Sequence, residues 1–248
     1  MRIAVLSDIH SNIYALDAIV ADLKKRGADL TVNLGDILYG PIAPRLTYER
    51  LMEQGYTTIR GNQDRQIYEA TPTEIESNPT LQFILKDLGV EPLLWMKQLP
   101  PSLQITDEVF LCHGTPSSDL IYLLEDTSSG RPQIRSNHEI LNLLGKIPSK
   151  VILCGHTHQP RCISVSSGQL VLNPGSAGLP AYTDSEPQPH IMETFSPHAS
   201  YALIERSKNG AWSAEFFKVS YDTDKAARAA IAQGRDDWGF YLSTGRAS

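Results

Sequence analysis

The chain has 248 residues, of which 41% are hydrophobic and 20% charged, and its formal net charge at pH 7 is -6. This length allows one sizeable hydrophobic core, and the composition excludes a disordered, collagen-like or coiled-coil protein. With 22 Lys and Arg residues, an acidic chain is not expected to present an extended nucleic-acid surface, because such a surface needs clustered cations.

The first half of the chain alternates strands and helices. Ile3 to Leu6 reads as a buried strand, and apolar residues then recur at helical spacing from Ile13 to Leu23. Leu30 to Leu34 and Tyr56 to Arg60 are predicted strands, and Pro44 is placed to begin a helix between them. This alternation predicts parallel βαβ units.

The next segment predicts two short helices. The pattern from Pro79 to Lys97 is helical but is interrupted by Gly89 and Pro92. We expect a single domain over residues 1–248, with a small helical cap at about residues 70–99.

The second half indicates a largely antiparallel arrangement with one intervening helix, at about 137–144. The predicted strands cover residues 103–105, 109–112, 151–154, 162–165, 169–172, 201–205 and 212–219. Residues 174–197 are rich in Pro, Gly and Ser, which is typical of a long functional loop or of local disorder. Two sheets packed face to face would accommodate these strands.

The sequence also indicates the compartment. Cys112, Cys154 and Cys162 lie in or beside apolar strand patterns rather than at metal-ligand spacing, so we expect buried, unpaired thiols. The apolar run from Ile3 to Leu6 is too short for a signal peptide or a membrane span, and no later run is long enough to span a membrane. We therefore expect a cytoplasmic protein that does not bind membranes.

Five short motifs place metal-ligand side chains directly after predicted strands, where open α/β sheets assemble their sites. They are Ser7-Asp8-Ile9-His10, Gly35-Asp36, Gly61-Asn62-Gln63-Asp64, His113-Gly114 and Gly155-His156-Thr157-His158. Singly, most have a structural explanation, since Asp8 can cap a helix and Asp36 can support a turn. Their joint order favours a shared site, and Gly155 to His158 is its most specific part.

The motifs supply seven candidate metal ligands: Asp8, His10, Asp36, Asn62, His113, His156 and His158. Four imidazoles, two carboxylates and an amide oxygen suit manganese, iron or zinc, whereas calcium prefers oxygen ligands alone and structural zinc usually has thiolates. Seven groups are too many for one ion. We expect two divalent or mixed-valence ions, and pairs about 3.5–4 Å apart recur in phosphatases and nucleases.

In order and spacing, these motifs resemble the calcineurin-like metallophosphoesterase superfamily over residues 5–158. Asn173-Pro174-Gly175-Ser176 and the carboxyl-terminal strands resemble its bacterial and archaeal small phosphodiesterase branch. The resemblance implies an α/β fold, a four-layer α/β/β/α sandwich of two mixed sheets flanked by helices. It further implies a metal-dependent phosphohydrolase, a phosphodiesterase more than a monoesterase, acting on a small phosphorylated molecule such as a nucleotide.

Carried over residue by residue, the resemblance assigns the ligands to two ions. Asp8, His10 and His158 would hold the first, Asn62, His113 and His156 the second, and Asp36 would lie between them. Asn62, Gln63 and His113 would act on the substrate.

Two positions depart from the family pattern. Gln63 replaces a histidine that contacts the phosphate, and glutamine can hydrogen-bond a phosphate oxygen but cannot protonate a leaving group. We therefore expect weaker activity on poor leaving groups. Tyr39 stands near a position where many relatives carry a second acidic residue, and we expect it to line the pocket.

Other side chains receive structural interpretations. We expect Asp64 to cap the helix that begins there. For Arg65 three roles stay open: binding phosphate, lying exposed at the helix start, or pairing with Asp64. The remaining histidines, His138, His190 and His198, are expected to face solvent. Tyr122, Tyr182, Trp95 and Trp238 are expected to be packing residues.

Two alternatives stay open for the function. A catalytically weakened metal-binding scaffold with the same fold, as in the retromer subunit that resembles these enzymes, is favoured by Gln63 alone. A nuclease is disfavoured by the acidic balance.

Overall fold

A computed structural model describes all 248 residues and contains two five-stranded mixed sheets. The first sheet has the order β14-β13-β1-β2-β3. Its strands are β1 (Arg2–Leu6), β2 (Leu30–Asn33), β3 (Thr57–Thr58), β13 (Ala199–Arg206) and β14 (Trp212–Val219). Strands β1, β2 and β3 are parallel, whereas β13 and β14 are antiparallel to their neighbours.

The second sheet has the order β4-β5-β8-β10-β9, with parallel central pairs and antiparallel edges. Its strands are β4 (Ser102–Thr106), β5 (Val109–Cys112), β8 (Val151–Leu153), β9 (Arg161–Ser164) and β10 (Leu170–Asn173). Two small hairpins complete the strands: β6 (Glu125–Asp126) with β7 (Gln133–Ile134), and β11 (Ala181–Asp184) with β12 (His190–Glu193).

Nine helices surround the sheets. They are α1 (Ile13–Arg26), α2 (Pro44–Gln54), α3 (Asn62–Glu69), α4 (Pro72–Ser77), α5 (Pro79–Leu88), α6 (Val90–Gln98), α7 (Asn137–Leu144), α8 (Thr223–Ala232) and α9 (Asp236–Thr244). None of them is both long enough and apolar enough to cross a membrane.

Alternate residues of β1 show how the layers are built. Ile3 and Val5 face the second sheet and pack with residues such as Leu111, whereas Ala4 and Leu6 face α1 on the other side. The outer face of the second sheet packs on α7. The predicted four-layer α/β/β/α sandwich is therefore confirmed.

Helices α4 to α6, within the predicted cap, lie beside α2 and α3. Leu81, Ile84, Leu88 and Met96 belong to the same buried cluster as the apolar face of α1. The helical break falls at Gly89, as predicted, whereas Pro92 lies in the first turn of α6, where its missing N–H has no helical partner to lose.

The second half of the chain is largely antiparallel, as predicted, apart from the parallel pairs β5–β8 and β8–β10. Two sequence-based expectations were wrong. Residues 174–197 contain the β11–β12 hairpin, so they are not one long loop. Cys112 and Cys154 are buried, but Cys162 is exposed on the edge strand β9.

Candidate metal centre

The candidate ligands follow the carboxyl ends of strands from both sheets. Asp8 and His10 follow β1, and Asp36 follows β2. Asn62 is the first residue of α3, just after β3, while His113 follows β5 and His156 and His158 follow β8. The fold thus brings together residues that are far apart in the sequence. His10 and His158, for example, are separated by 148 positions.

Six of these side chains form two compact groups, each with three ligand atoms within 4.8 Å of one another. The first group is Asp8, His10 and His158, and the second is Asp36, His113 and His156. All six residues are buried. Two adjacent groups of this kind indicate sites for two metal ions.

In the first group, ring nitrogens and a carboxylate oxygen converge. The Nε2 atoms of His10 and His158 are 3.1 Å apart, and the Nε2 atom of His158 is 3.4 Å from Asp8 Oδ1. Asp8 Oδ1 is buried and has no hydrogen-bond partner. A buried carboxylate oxygen without a donor is expected where a cation binds.

In the second group, His113 is the centre of the contacts. Its Nε2 atom lies 3.0 Å from Asn62 Oδ1 and 3.4 Å from Asp36 Oδ2. Asn62 is buried as well, so an amide oxygen joins this group. Burial raises the pKa of Asp36, but the neighbouring His113, and then His10 and His156, lower it below its ordinary value.

Backbone carbonyls fix the orientation of three imidazoles. The Nδ1–H groups of His10, His113 and His158 donate to the carbonyls of Tyr39, Leu34 and Leu179 at 3.0, 2.8 and 2.6 Å. With Nδ1 protonated, a neutral ring directs the Nε2 lone pair into the site. Metal-ligating histidines typically donate a hydrogen bond from the ring nitrogen that does not bind the metal to a carbonyl of this kind.

These orientations fit a metal ion. The facing Nε2 lone pairs of His10 and His158, 3.1 Å apart, would repel each other unless a cation or a proton lay between them. Imidazole and carboxylate ligands, without any thiolate, suit manganese, iron or zinc.

Burial and neighbouring charges act differently on the imidazoles. Burial, and then the adjacent His158, lowers the pKa of His10 to about 4. Burial, and then His113, lowers the pKa of His156 to about 4. Burial alone would also lower the pKa of His113, but the Asp36 carboxylate raises it to about 10. Asp36 thus favours a protonated His113, whereas burial favours neutral His10 and His156.

Backbone conformation is strained at most of the candidate ligands. Asp8, His10, Asp36, His156 and His158 have φ of 56°, 50°, 53°, 72° and 59°. The left-handed region is uncommon for non-glycine residues, and such residues cluster at functional sites. The tight turns after the strands thereby aim these side chains at one another.

Two glycines allow the loops to approach the carboxylates. A Cβ atom on Gly61 would lie 2.1 Å from Asp36 Oδ1, and one on Gly155 would lie 2.0 Å from Ser7 Oγ and 3.0 Å from Asp8 Oδ2. No larger residue fits at either position without moving a candidate ligand.

Asp64 holds the loops together, as its predicted helix-capping role requires. Its carboxylate accepts hydrogen bonds from the N–H groups of Gly61, Asp36 and Ile37 at 2.9, 2.9 and 2.8 Å. Burial, together with the charge of Asp36, raises the pKa of Asp64 to about 7. Arg65 pairs with Asp119 instead of Asp64, at 2.9 Å.

Asn173, the last residue of β10, and Ser176 support the loops that carry the candidate ligands. The Asn173 amide donates to the Gly155 carbonyl at 2.7 Å, and the Ser176 hydroxyl donates to the Asp8 carbonyl at 2.7 Å. Both residues are buried. They hold the ligand loops in place and do not line the cleft.

A cleft of about 230 Å³ opens over the two groups, and we call it the first chamber. Gln63 and Tyr39 line it, as expected for Tyr39. The remaining lining includes Arg235, Asp237 and Trp238, from the carboxyl-terminal segment. Trp238 meets the His10 ring edge-on at 5.8 Å between centroids.

Tyr122, Tyr182 and Trp238 both pack and line the cleft, which extends the purely structural role predicted for them. The rings of Tyr122 and Tyr182 each lie 4.6 Å from a ligand ring, of His156 and His158 respectively. His190 is buried and contacts the Tyr122 hydroxyl at 2.9 Å, so the expectation that it faces solvent was wrong. His138 is exposed, as predicted.

Known proteins share this fold. A solved metallophosphoesterase structure from Sphaerobacter thermophilus matches 99% of this chain and 100% of its own, with a TM-score of 0.74 and 21% identity. A protein proposed to be a diadenosine tetraphosphatase matches 88% of this chain and 94% of its own, with a TM-score of 0.50 and 15% identity.

Sequence comparison agrees. An uncharacterized protein of Methanocaldococcus jannaschii is 24% identical over 248 residues, which cover 95% of this chain and 94% of that protein. Residues 1–196 match the model of the calcineurin-like phosphoesterase superfamily domain. Since that match spans most of the chain, the protein belongs to the calcineurin-like phosphoesterase superfamily.

Proposed function

We propose that the protein is a metal-dependent phosphoesterase that hydrolyses a small phosphorylated molecule, with diesters preferred over monoesters. The observation that carries the proposal is the convergence of two buried ligand groups, Asp8 with His10 and His158, and Asp36 with His113 and His156. Superfamily membership supports hydrolysis of a phosphate ester as the chemistry.

The proposed ligands divide between two ions of manganese, iron or zinc. Asp8, His10 and His158 hold one ion, and Asn62, His113 and His156 hold the other, with Asp36 shared. When bound, two such ions supply a water nucleophile at neutral pH and neutralise charge on the phosphoryl oxygens.

The chain's own residues then position the substrate. Asn62 and Gln63 form the first turn of α3, whose amino terminus faces the cleft and favours an anionic group there. The Gln63 side-chain oxygen is buried without a partner, so its amide is free to turn and donate to a phosphate oxygen. It supplies no proton to a leaving group, which restricts efficient hydrolysis to good leaving groups.

The proposal includes the compartment, the domain organisation and the substrate. The three free thiols support a reducing compartment, the cytoplasm. The chain acts as a single domain, and a nucleotide is one candidate substrate. The 70–99 segment forms a cap beside the first chamber, where the Asn78 amide donates to the Tyr39 hydroxyl at 3.1 Å.

Two measurements test this function. Metal analysis of the purified protein should give about two manganese, iron or zinc ions per chain, falling to about one in His156→Ala. The manganese-loaded protein should hydrolyse bis(4-nitrophenyl) phosphate faster than 4-nitrophenyl phosphate. His138→Ala, an exposed histidine outside the site, serves as the control and should retain both properties.

The outcomes separate the two candidate functions. Two bound ions without turnover on either ester would favour the metal-binding scaffold, for which Gln63 is the supporting residue. Absence of bound metal would contradict both.

A further inference from the structure

A second chamber, of about 490 Å³, lies beside the cleft over the metal groups. The two chambers share Asn62, Tyr122, His156 and Asp184 in their linings, so both border the second ligand group. An ester bound to the metals would therefore have space on two sides of its phosphorus atom.

The second chamber carries apolar side chains that nothing in the fold covers. Leu120 and Ile121 are 55% and 43% exposed and stand side by side in its lining, with Pro187 from the β11–β12 turn. Exposed large apolar residues at the mouth of a concave site are typical of a ligand-binding surface.

Two charged residues of this chamber already have partners. Arg135 donates to the Tyr122 carbonyl at 3.1 Å and lies 3.8 Å from Glu139, and the Ser128 hydroxyl donates to Asp126 at 2.7 Å. The other two, Asp184 and Glu186, are acidic and form no ion pair, so they disfavour an anionic group in this chamber. The chamber therefore favours an uncharged group that contacts the apolar surface of Leu120 and Ile121.

The first chamber differs in chemistry. Gln63 lines it and does not line the second chamber. Arg235 and Asp237 add a polar wall, with Arg235 held by Asp237 at 2.7 Å. The developing negative charge of a leaving group suits the first chamber, where the Gln63 amide can donate a hydrogen bond to it.

We propose that the second chamber binds an apolar substituent that stays on the phosphate, while the leaving group occupies the first chamber. This inference rests on the proposed phosphoesterase function. A monoester has one organic group and would leave the second chamber unused, whereas a diester fills both. The substrate class is accordingly a phosphodiester whose retained group is aromatic or aliphatic.

The test keeps the leaving group constant and varies the retained group. Phenyl 4-nitrophenyl phosphate and methyl 4-nitrophenyl phosphate release the same 4-nitrophenolate, so a difference in kcat/KM reports on the retained group. We expect the phenyl ester to be preferred by about tenfold, at the lower end of what additional apolar atoms contribute in a pocket.

Matched variants locate the effect. Leu120→Asn keeps the side-chain size but removes the apolar surface, and should reduce the preference to about threefold or less. Leu46→Asn changes the same residue type at 57% exposure on α2, outside both chambers, and should keep the tenfold preference. Circular dichroism of each variant confirms that it is folded.

The outcomes separate the subsite from the activity. Turnover of both esters without a phenyl preference, or a preference that Leu120→Asn leaves unchanged, would overturn the second-chamber assignment alone. If the metal-loaded parent protein hydrolyses neither ester, the phosphoesterase proposal is overturned, and the second-chamber assignment with it.

Discussion

Replacing Gln63 by histidine is expected to restore a general acid to the proposed reaction. The Gln63 side-chain oxygen is buried without a hydrogen-bond partner, so the fold loses no side-chain contact through that oxygen. The structural contact of this residue is its backbone N–H, which donates to Asp36 Oδ1 at 2.9 Å and is retained in any variant with an N–H. Gln63→His therefore changes mainly what faces the first chamber.

The expected rate gain of Gln63→His depends on where residue 63 lies in α3. General-acid catalysis contributes about 10²–10⁴-fold when a leaving group is poor. Residue 63 is the second residue of α3, where the helix amino terminus disfavours an imidazolium ion by about 0.3–1 kcal/mol. A gain near the lower limit, about 100-fold or about 2.7 kcal/mol, is therefore expected for phenolate leaving groups.

Two symmetrical diesters make the assay specific. Diphenyl phosphate releases phenol, whose pKa is about 10, whereas bis(4-nitrophenyl) phosphate releases a more acidic phenol that needs little protonation. Gln63→His should accelerate the first about 100-fold and the second less than about threefold. Gln98→His, an exposed position at the end of α6, is the control. Equal acceleration of both diesters, or none, would refute the general-acid reasoning.

Three further predictions concern metal binding and stability. Asp36 raises the pKa of buried His113 to about 10, so binding of a metal to the second group should release about one proton. The apparent metal affinity should then rise about tenfold per pH unit between about pH 6 and 9. Calorimetry in buffers of different ionisation enthalpy measures the proton release, and binding heats that do not depend on the buffer would contradict it. Hydrogen bonds from Lys150, and then Trp212, lower the pKa of Glu108 from 4.5 to about 2, so its contribution to stability is present above pH 4.5 and lost as pH falls towards 2. The thermal midpoint of Glu108→Gln should accordingly lie below that of the parent at neutral pH and approach it on acidification; a gap that widens in acid would show the reverse. Ile84→Ala, fully buried in α5, should lower stability by about 3 kcal/mol and the midpoint of one cooperative transition by about 6–12 °C, whereas a separate early transition would contradict the single-domain prediction.

The geometry of the site was largely predictable because its signals are local. Each candidate ligand stands a few residues after an apolar run, and parallel strands place their carboxyl ends at one edge of a sheet. Asp8 after β1, Asp36 after β2 and His156 after β8 follow that rule. Asp64 was predictable as a helix cap for the same reason, since its N–H partners lie near it or in a neighbouring loop.

The walls of the cleft were harder to predict. His190 pairs with Tyr122, 68 residues away, and its strand has no alternating pattern that would reveal a buried face. Helices α8 and α9, which bring Arg235 and Trp238 to the first chamber, had a local signal, because Asp222 precedes an alanine-rich run and caps α8. Their position against the metal groups depends on tertiary packing, which no short window of sequence encodes.

At five candidate ligands, the left-handed backbone conformation that directs the side chain into the site also lowers the stability of the fold. Each of Asp8, His10, Asp36, His156 and His158 holds a conformation that is unfavourable by about 1–3 kcal/mol for a side chain of its type, and glycine would adopt it freely. A descendant of this chain that no longer needed these side chains would gain stability by mutation at these five residues. The candidate ligands should then disappear early.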